Sequence, residues 1–286
     1  MTSAMARALL LILVLLAFAS NSILNRLALL DGTTGPAAFA ALRLAAGAAM
    51  LCALVALRNR AVPRFAPNWW GIGSLTLYML GFSFAYVTLP AGLGALILFG
   101  GVQMTMFAGA VLAGEGIPAR RWVGSAVAFA GLVYLLWPAG VGAPPVIGST
   151  LMAAAALGWG IYSLVGRGAT DPLAETASNF LWATPFGVLA FVVVQDAMTL
   201  QGALLALLAG AVTSGLGYAL WYHVLPALGA TRGAIAQLTV PLIAMAGGML
   251  FLSEPLTLRF AIASVVVLGG VLIGLAPARH RPSDAA

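Results

Sequence analysis

The chain has 286 residues, of which 62% are hydrophobic and 7% are charged. Because a soluble domain carries about 25% charged residues, this composition excludes an ordinary water-facing surface, whereas a lipid-facing surface needs no charges. The net charge of +6 comes with thirteen arginines that stand scattered at the ends of apolar runs, which excludes a nucleic-acid partner. The composition therefore predicts an all-α membrane protein whose surroundings are the lipid bilayer.

Ten apolar runs are long enough to be membrane-spanning helices, which need about 20 residues each. In chain order they cover residues 8–30, 36–57, 69–89, 92–113, 121–138, 147–167, 173–195, 201–224, 232–252 and 257–276. The first run begins like a signal peptide, but it continues through Asn21 and Asn25 to about Leu30, so we interpret it as a span. The connections after the third and the eighth runs are very short, which predicts tight antiparallel hairpins.

The distribution of arginines predicts the orientation, because cytoplasmic loops carry an excess of basic residues. With the N-terminus inside, the outer side holds only Arg26 and Arg259, and Arg43 lies within the second run. The cytoplasmic side then holds Arg7, Arg58, Arg60, Arg64, Arg120, Arg121, Arg167, Arg232, Arg279 and Arg281. We therefore expect a multi-pass protein of a bacterial inner membrane with both termini in the cytoplasm.

The second half of the chain repeats the first. A shift of 139 residues places residues 94–138 over residues 233–277 without a gap. Matching pairs include Gly94/Gly233, Met106/Met245, Gly109/Gly248, Glu115/Glu254, Arg120/Arg259 and Pro138/Pro277, with Arg26/Arg167 upstream. Each half holds five spans, and an odd number inverts the second half. We predict two inverted repeats, residues 1–143 and 144–286, an architecture of secondary transporters that bind substrate between the halves.

Several motifs carry a resemblance to a known family. They are Pro36 with Arg43, the Leu-Pro and Gly-Ala-Leu segments leading into the fourth span, Glu115 before a glycine-rich span, the segment Ala234 to Leu242, and Ser253-Glu254-Pro255. These features resemble the EamA family of the drug/metabolite transporter superfamily over the whole chain, and most of all its exporters of aromatic and other amino acids. The resemblance implies a ten-helix carrier with spans 1–4 and 6–9 around a central cavity. One departure is Asn179, which stands where the first half has Arg43.

Neutral amides within the spans are candidate substrate-binding residues, because polar groups at membrane depth usually face protein or water. They are Asn21, Asn25, Gln103, Asn179 and Gln237. Asn21 and Asn25 are four residues apart and share a helix face. Such amides can bind the carboxylate and the ammonium group of an amino acid. The alternative is that they join helices by hydrogen bonds.

Aromatic side chains form a second group of candidates. Tyr78 and Phe82 lie on one stripe of the third span, Trp159 and Tyr162 lie in the sixth, and Tyr218 lies in the eighth. Rings with polar tips can stack on a substrate ring or contact an ammonium group. An interfacial belt or plain helix packing is the alternative.

Arg43 is placed well inside a span, where it can attract a substrate carboxylate or pair with helix carbonyls. No acidic residue lies clearly mid-span, and proton-coupled carriers commonly use such a carboxylate. Facilitated or exchange transport therefore fits the sequence better, with His223 or Glu175 as alternative coupling groups.

Motifs of catalysis are absent from the sequence: it has no H-E-x-x-H, no P-loop and no G-x-S-x-G. The single Cys52, inside an apolar run, offers no metal cluster. We therefore expect no enzyme and no cofactor, but a monomeric exporter of small metabolites, first of all amino acids, by alternating access. A drug or other metabolite exporter of the same fold remains an alternative, as does a channel or a scaffold that transports nothing.

Overall fold

A computed structural model describes residues 3–60, 66–137, 143–228, 233 and 236–275. Within those ranges the regular structure is helical throughout. Residues 1–143 contain α1 (Ser3–Leu29), α2 (Pro36–Asn59), α3 (Trp69–Ala85), α4 (Ala91–Leu112) and α5 (Ala119–Leu136). Residues 144–286 contain α6 (Val146–Val165), a 3-10 turn (Gly166–Gly168), α7 (Pro172–Val194), α8 (Leu200–Leu207), a π-helix (Leu208–Leu216), α9 (Gly217–Leu228), α10 (Val240–Leu252) and α11 (Leu258–Leu275).

Seven helical segments among the described residues are long and apolar enough to cross a membrane. They begin at Met5, Pro36, Ala91, Val146, Pro172, Leu200 and Leu258. The segment from Leu200 runs through α8 and the π-helix into α9, and α10 is apolar but shorter. The prediction of a helical, multi-pass membrane protein is thereby confirmed, whereas the count of ten crossings stays a prediction.

The predicted borders agree with most of the described helices to within a few residues, but the ninth run begins at residue 232 and α10 only at Val240, and the third run also differs. The third run extends to residue 89, but α3 ends at Ala85, and Tyr86 to Leu89 form a turn before Pro90. Pro90 cannot donate a backbone N–H and disfavours helix in the residue before it, which explains the early end. The predicted hairpin after the eighth run lies outside the described residues.

Polar side chains satisfy the free N–H groups at several helix starts. Asn68 caps α3, Asp171 caps α7 and Thr199 caps α8, each by accepting a hydrogen bond three residues ahead. The start of α2 is capped from a distance, because Asp196 accepts bonds from the N–H groups of Ala37 at 2.8 Å and Ala38 at 2.9 Å. The helix start at Pro36 is therefore fixed by a residue that follows α7.

Small residues let neighbouring helices approach closely, as is common in membrane proteins. A Cβ atom at Gly158 of α6 would lie 2.7 Å from the Ser74 carbonyl oxygen of α3. A Cβ atom at Gly270 of α11 would lie 2.5 Å from the backbone nitrogen of Ala128 in α5. These contacts pack α3 against α6 and α5 against α11.

Charged groups define two ends of the bundle. One end holds Arg58, Arg120 and Arg167, and we call it the arginine-rich end. The other holds Asp196 and Glu254 in the connections after α7 and α10, and we call it the acidic end. At the arginine-rich end Arg58 pairs with Asp171, and this hydrogen bond holds the pKa of the Asp171 carboxyl below its usual value.

Candidate functional site

A cavity lies among α1, α3, α4, α6 and α9, and we call it the central cavity. The lining residues are Phe18, Asn21, Ser22, Tyr78, Phe82, Leu98, Phe99, Trp159 and Tyr218. Both halves of the chain contribute to this lining. Five of the eleven candidate residues from the sequence lie on this one surface.

Arg43 of α2 is fully buried beside the central cavity. Its Nη2 donates to the hydroxyl oxygens of Tyr78 at 3.3 Å and Ser214 at 3.2 Å, and its guanidinium carbon lies 4.9 Å from the centre of the Phe82 ring. Nη1 has no hydrogen-bond partner, and the ion pairs among the described residues do not include Arg43. A buried cation without a carboxylate is costly, and this one also has an unbonded donor at Nη1.

The π-helix brings two further hydroxyl groups to this cluster. A π-helical turn carries more residues than an α-helical turn and is frequent at functional sites. Thr213 donates to the Asn21 Oδ1 at 2.7 Å, and Ser214 donates to the same oxygen at 3.3 Å. Ser214 also accepts from Arg43, so it links the buried cation to Asn21 on the cavity wall.

Asn25 lies one turn further along α1 and is fully buried. Its Nδ2 donates to the Asn21 carbonyl oxygen at 2.9 Å, and its Oδ1 accepts from Ser83 at 3.0 Å. Asn25 thus joins α1 to α3 and does not line the central cavity.

Trp159 is the centre of an aromatic cluster on the floor of the central cavity. Its ring centroid lies 4.9 Å from that of Tyr78, 5.2 Å from that of Tyr218 and 5.3 Å from that of Tyr162. The Tyr162 pair is stacked, with 18° between the ring planes. Aromatic rings at these distances stabilise one another in addition to the stabilisation from the surface that they bury. The ring contacts therefore stabilise the cluster.

Four other candidates lie elsewhere. Tyr162 and Asn179 line a second cavity near the start of α7. Gln103 lines a third cavity between α4, α5 and α11. Gln237 is half-buried just before α10 and does not line the central cavity. His223, the alternative coupling group, is exposed on α9.

Four residues at this site, Ser22, Leu98, Phe99 and Ser214, were not among the candidates from the sequence. Leu98 and Phe99 are apolar residues in an apolar run, so no pattern separates a cavity wall from a packed core. Thr213 and Ser214 carried a weak signal, as two adjacent polar residues within an otherwise apolar segment. Their orientation depends on the π-helix, which the sequence does not predict.

Three ion pairs of the described residues join the two halves, and two of them are related by the repeat and lie at opposite ends of the bundle. Arg26 pairs with Glu254 at the acidic end, and Arg167 pairs with Glu115 at the arginine-rich end. Glu254 also accepts a bond from the Ala91 N–H at 2.8 Å, which caps α4. Burial raises the pKa of the Glu254 carboxyl above its ordinary value, since desolvation outweighs the opposing effects of Ala91 and Arg26.

Comparisons with known proteins indicate the family of this chain. Residues 146–275 match the model of the EamA-like transporter family. An uncharacterized protein of Pseudomonas aeruginosa is 47% identical over 271 residues, or 94% of each chain. A probable amino-acid metabolite efflux pump of Salmonella typhimurium is 26% identical over 70% of this chain and 74% of its own.

One solved crystal structure has a TM-score of 0.65 and 20% identity, with 95% of this chain and 98% of that chain covered. At that identity the likeness concerns the fold alone. The family match, the multi-pass helical fold and the relatives agree: this chain belongs to the EamA-like transporter family.

Proposed function

We propose that this chain is a secondary transporter that exports amino acids, including aromatic ones, by alternating access around the central cavity. In this it would act like the YddG type of aromatic amino-acid exporter. The observation that carries the proposal is Arg43, a fully buried cation without a carboxylate, whose Nη1 has no partner. A substrate carboxylate supplies the charge that this site lacks, and a bidentate guanidinium–carboxylate pair has favourable geometry.

The aromatic residues of the central cavity support the proposal that it also binds the side chain of the amino acid. Phe18, Trp159 and Tyr218 border the central cavity, and Phe18 lies edge-on to Tyr218 with 5.7 Å between ring centroids. An aromatic side chain of the substrate stacks on such rings, and an aliphatic one buries its surface against them. The relative named as an amino-acid metabolite efflux pump supports the same substrate class.

Tyr78 lies between Arg43 and the central cavity. Its hydroxyl accepts the bond from Arg43 Nη2, and its ring borders the central cavity. A substrate carboxylate that approaches Arg43 replaces the Tyr78 hydroxyl as its partner, and this hydroxyl then donates to the carboxylate. Asn21, fixed by Thr213 and Ser214, adds a polar contact on the same wall.

Alternating access is supported by the two repeat-related ion pairs between the halves. The residues that the repeat pairs, Arg26 with Arg167 and Glu254 with Glu115, make the same kind of contact at opposite ends. We propose that residues 1–143 and 144–286 are the two inverted repeats and that they rock about the central cavity. In the same proposal the arginine-rich end faces the cytoplasm of a bacterial inner membrane, and the protein works as a monomer.

Counterflow in proteoliposomes tests this function. Vesicles preloaded with unlabelled L-phenylalanine are expected to accumulate labelled L-phenylalanine transiently and saturably, which a channel or a scaffold does not produce. The variant Arg43→Gln is expected to lose about tenfold or more in apparent affinity, since hydrogen bonds to charged groups contribute about 1.5–3 kcal/mol. Arg43→Lys keeps the charge and is expected to lose less.

The matched control is Arg60→Gln, which removes an exposed arginine just after the same helix. It is expected to transport like the unmodified protein. Absence of counterflow for every amino acid tested, with a folded protein in the vesicles, would rule out the proposed substrate class. Equal affinities for Arg43→Gln and Arg60→Gln would remove Arg43 from the site.

A further inference from the structure

The second cavity lies between the ends of α6, α7 and α9, at the arginine-rich end of the bundle. Its polar lining consists of Tyr162, Glu175, Thr176, Asn179 and Tyr222. None of these side chains is a cation. In contrast to the central cavity with Arg43 beside it, this space is lined by oxygen atoms and a carboxylate.

The donors of this lining are largely used within it. Asn179 Nδ2 donates to the Tyr162 hydroxyl at 3.4 Å, and Tyr162 donates to Thr176 Oγ1 at 3.3 Å. Thr176 in turn donates to the Tyr222 hydroxyl at 3.2 Å. This chain of hydrogen bonds fixes the direction of the Tyr162 and Thr176 hydroxyl groups and uses three donors, which leaves the Tyr222 hydroxyl proton and one Asn179 Nδ2 proton. What remains for a ligand is mainly acceptor capacity.

Two acceptors stand out. Asn179 is 2% exposed, and its Oδ1 has no hydrogen-bond partner, which is costly for a buried carbonyl oxygen. Glu175 accepts one bond, from the Asn68 amide at 3.2 Å, and the ion pairs of the described residues do not include it. A primary ammonium group has three donors and a positive charge, so it satisfies both atoms at once.

One aromatic pair stands between this space and the central cavity. Trp159 borders the central cavity, Tyr162 borders the second cavity, and the two rings are stacked on each other. Asn179, moreover, is the residue that the sequence repeat places opposite Arg43. The first half thus has Arg43 with an unbonded donor, Nη1. At the equivalent position the second half has Asn179, with an unbonded acceptor, Oδ1, in the cavity that Glu175 also lines.

We propose that the second cavity is a separate binding site for the primary ammonium group of the substrate, held by Glu175 and Asn179, from which an amino acid passes the Trp159–Tyr162 pair into the central cavity. This inference rests on the proposed function. It assigns the two charges of an amino acid to two different places: the carboxylate to Arg43 and the ammonium group to the second cavity. An amine without a carboxylate is then a ligand of the second cavity alone.

Two half-substrates test the assignment. Phenethylamine carries the ammonium group without the carboxylate, and 3-phenylpropionate carries the carboxylate without the ammonium group. Both are expected to inhibit counterflow of labelled L-phenylalanine. In Glu175→Gln the concentration of phenethylamine for half-inhibition is expected to rise about tenfold, which corresponds to about 1.4 kcal/mol, while that of 3-phenylpropionate stays within about twofold. Asn179→Leu is expected to act in the same direction.

Direct binding separates this proposal from the transport proposal. Thermal stabilisation of the detergent-purified protein by phenethylamine is expected for the unmodified chain and for Asp31→Asn, a control that removes a carboxylate of an exposed turn. It is expected to be lost in Glu175→Gln. If phenylalanine counterflow is absent but this stabilisation is seen and depends on Glu175, the transport function fails and the ammonium site stands.

Two results would overturn the site. One is normal phenylalanine counterflow in which neither Glu175→Gln nor Asn179→Leu changes inhibition by phenethylamine. The other is a sodium dependence of transport that Glu175→Gln abolishes while inhibition by phenethylamine is unchanged. That pattern would assign the second cavity to an inorganic cation.

Discussion

Arg26 of α1 and Glu254 of the connection between α10 and α11 form a nearly buried ion pair, with the Arg26 Nε 3.5 Å from the Glu254 Oε1 and the two side chains 14% and 10% exposed. The repeat-related pair, Arg167 with Glu115, has a similar distance of 3.4 Å, but its side chains are 41% and 47% exposed. Arg26 also donates to the carbonyl oxygens of Tyr86 and Val87. The ion pair at the acidic end is thus the more buried of the two, while the arginine-rich end has an additional exposed pair between Arg58 and Asp171.

Arg26→Gln and Glu254→Gln each remove one partner of this ion pair, and we expect them to affect the acidic end differently. Arg26→Gln leaves the Glu254 carboxylate buried without its cation, which is strongly unfavourable, so we expect the acidic end to open. Glu254→Gln removes the charge and keeps an oxygen that can accept from Ala91, so we expect the end to stay closed. The measurement is labelling of Ser22→Cys on the central cavity wall, in a Cys52→Ala background, by an impermeant thiol reagent.

The same pair predicts a pH dependence. The pKa of Glu254 is raised in the closed arrangement relative to an exposed carboxyl, so closure of the acidic end takes up a proton. Closure is therefore favoured as the pH falls and is lost as the pH rises through the raised pKa. Labelling of Ser22→Cys from that end, corrected for the thiolate fraction measured on unfolded protein, is expected to increase with pH. Glu254→Gln is expected to flatten the curve, and an unchanged slope in that variant contradicts the assignment to Glu254.

The sequence predicted the helices of this fold far better than their contacts. Runs of about 20 apolar residues fix where a helix crosses lipid, and Pro36, Pro90 and Pro172 mark three of the borders. Among the site candidates, Trp159 and Tyr78 lie on the central cavity and Gln103 does not. In a helix that is apolar all round, periodicity does not reveal which side faces a cavity.

Other features of the site depend on distant parts of the chain. The bond between Arg43 and Ser214 joins residues 171 positions apart and needs the π-helix to turn Ser214 toward α2. No local pattern contains such a contact. The ion pair between Arg26 and Glu254 was likewise not predicted from the sequence, although each residue belongs to a matching pair of the repeat.

Ser214→Ala is expected to weaken transport by releasing Arg43. The serine hydroxyl accepts from both Nε and Nη2 of Arg43, and the variant leaves Nε without a partner in a buried place while Nη2 keeps only its bond to Tyr78. We expect a several-fold increase in the apparent KM for phenylalanine, on the scale of about 1 kcal/mol for one hydrogen bond. Ser163→Ala is the control, because Ser163 bonds only to the Trp159 carbonyl of its own helix among the described contacts. Equal KM values for the two variants would show that Ser214 does not position Arg43.

Asp196→Ala is expected to destabilise the start of α2. Its two carboxylate oxygens accept from Ala37 and Ala38, and loss of a helix cap costs about 0.5–2 kcal/mol. The thermal unfolding midpoint in detergent should therefore fall. Asp31→Ala is the comparison at the same end, since Asp31 contacts only Thr33 in its own turn among the described hydrogen bonds. A midpoint lowered equally by both substitutions would mean that the cap across the chain adds no stability.

Adjacent glycines of α11 give the sharpest packing test. A Cβ atom at Gly270 would lie 2.5 Å from the Ala128 nitrogen and 2.7 Å from the Gly124 carbonyl oxygen, so Gly270→Ala forces α5 and α11 apart. Overpacking of this kind costs about 1–3 kcal/mol, and the unfolding midpoint should fall. A Cβ atom at Gly269 meets nothing within 4 Å. Gly269→Ala is therefore expected to hold or raise the midpoint, because alanine favours helix over glycine by about 1 kcal/mol. If Gly270→Ala were as stable as Gly269→Ala, the two helices would not pack through their backbones at this glycine.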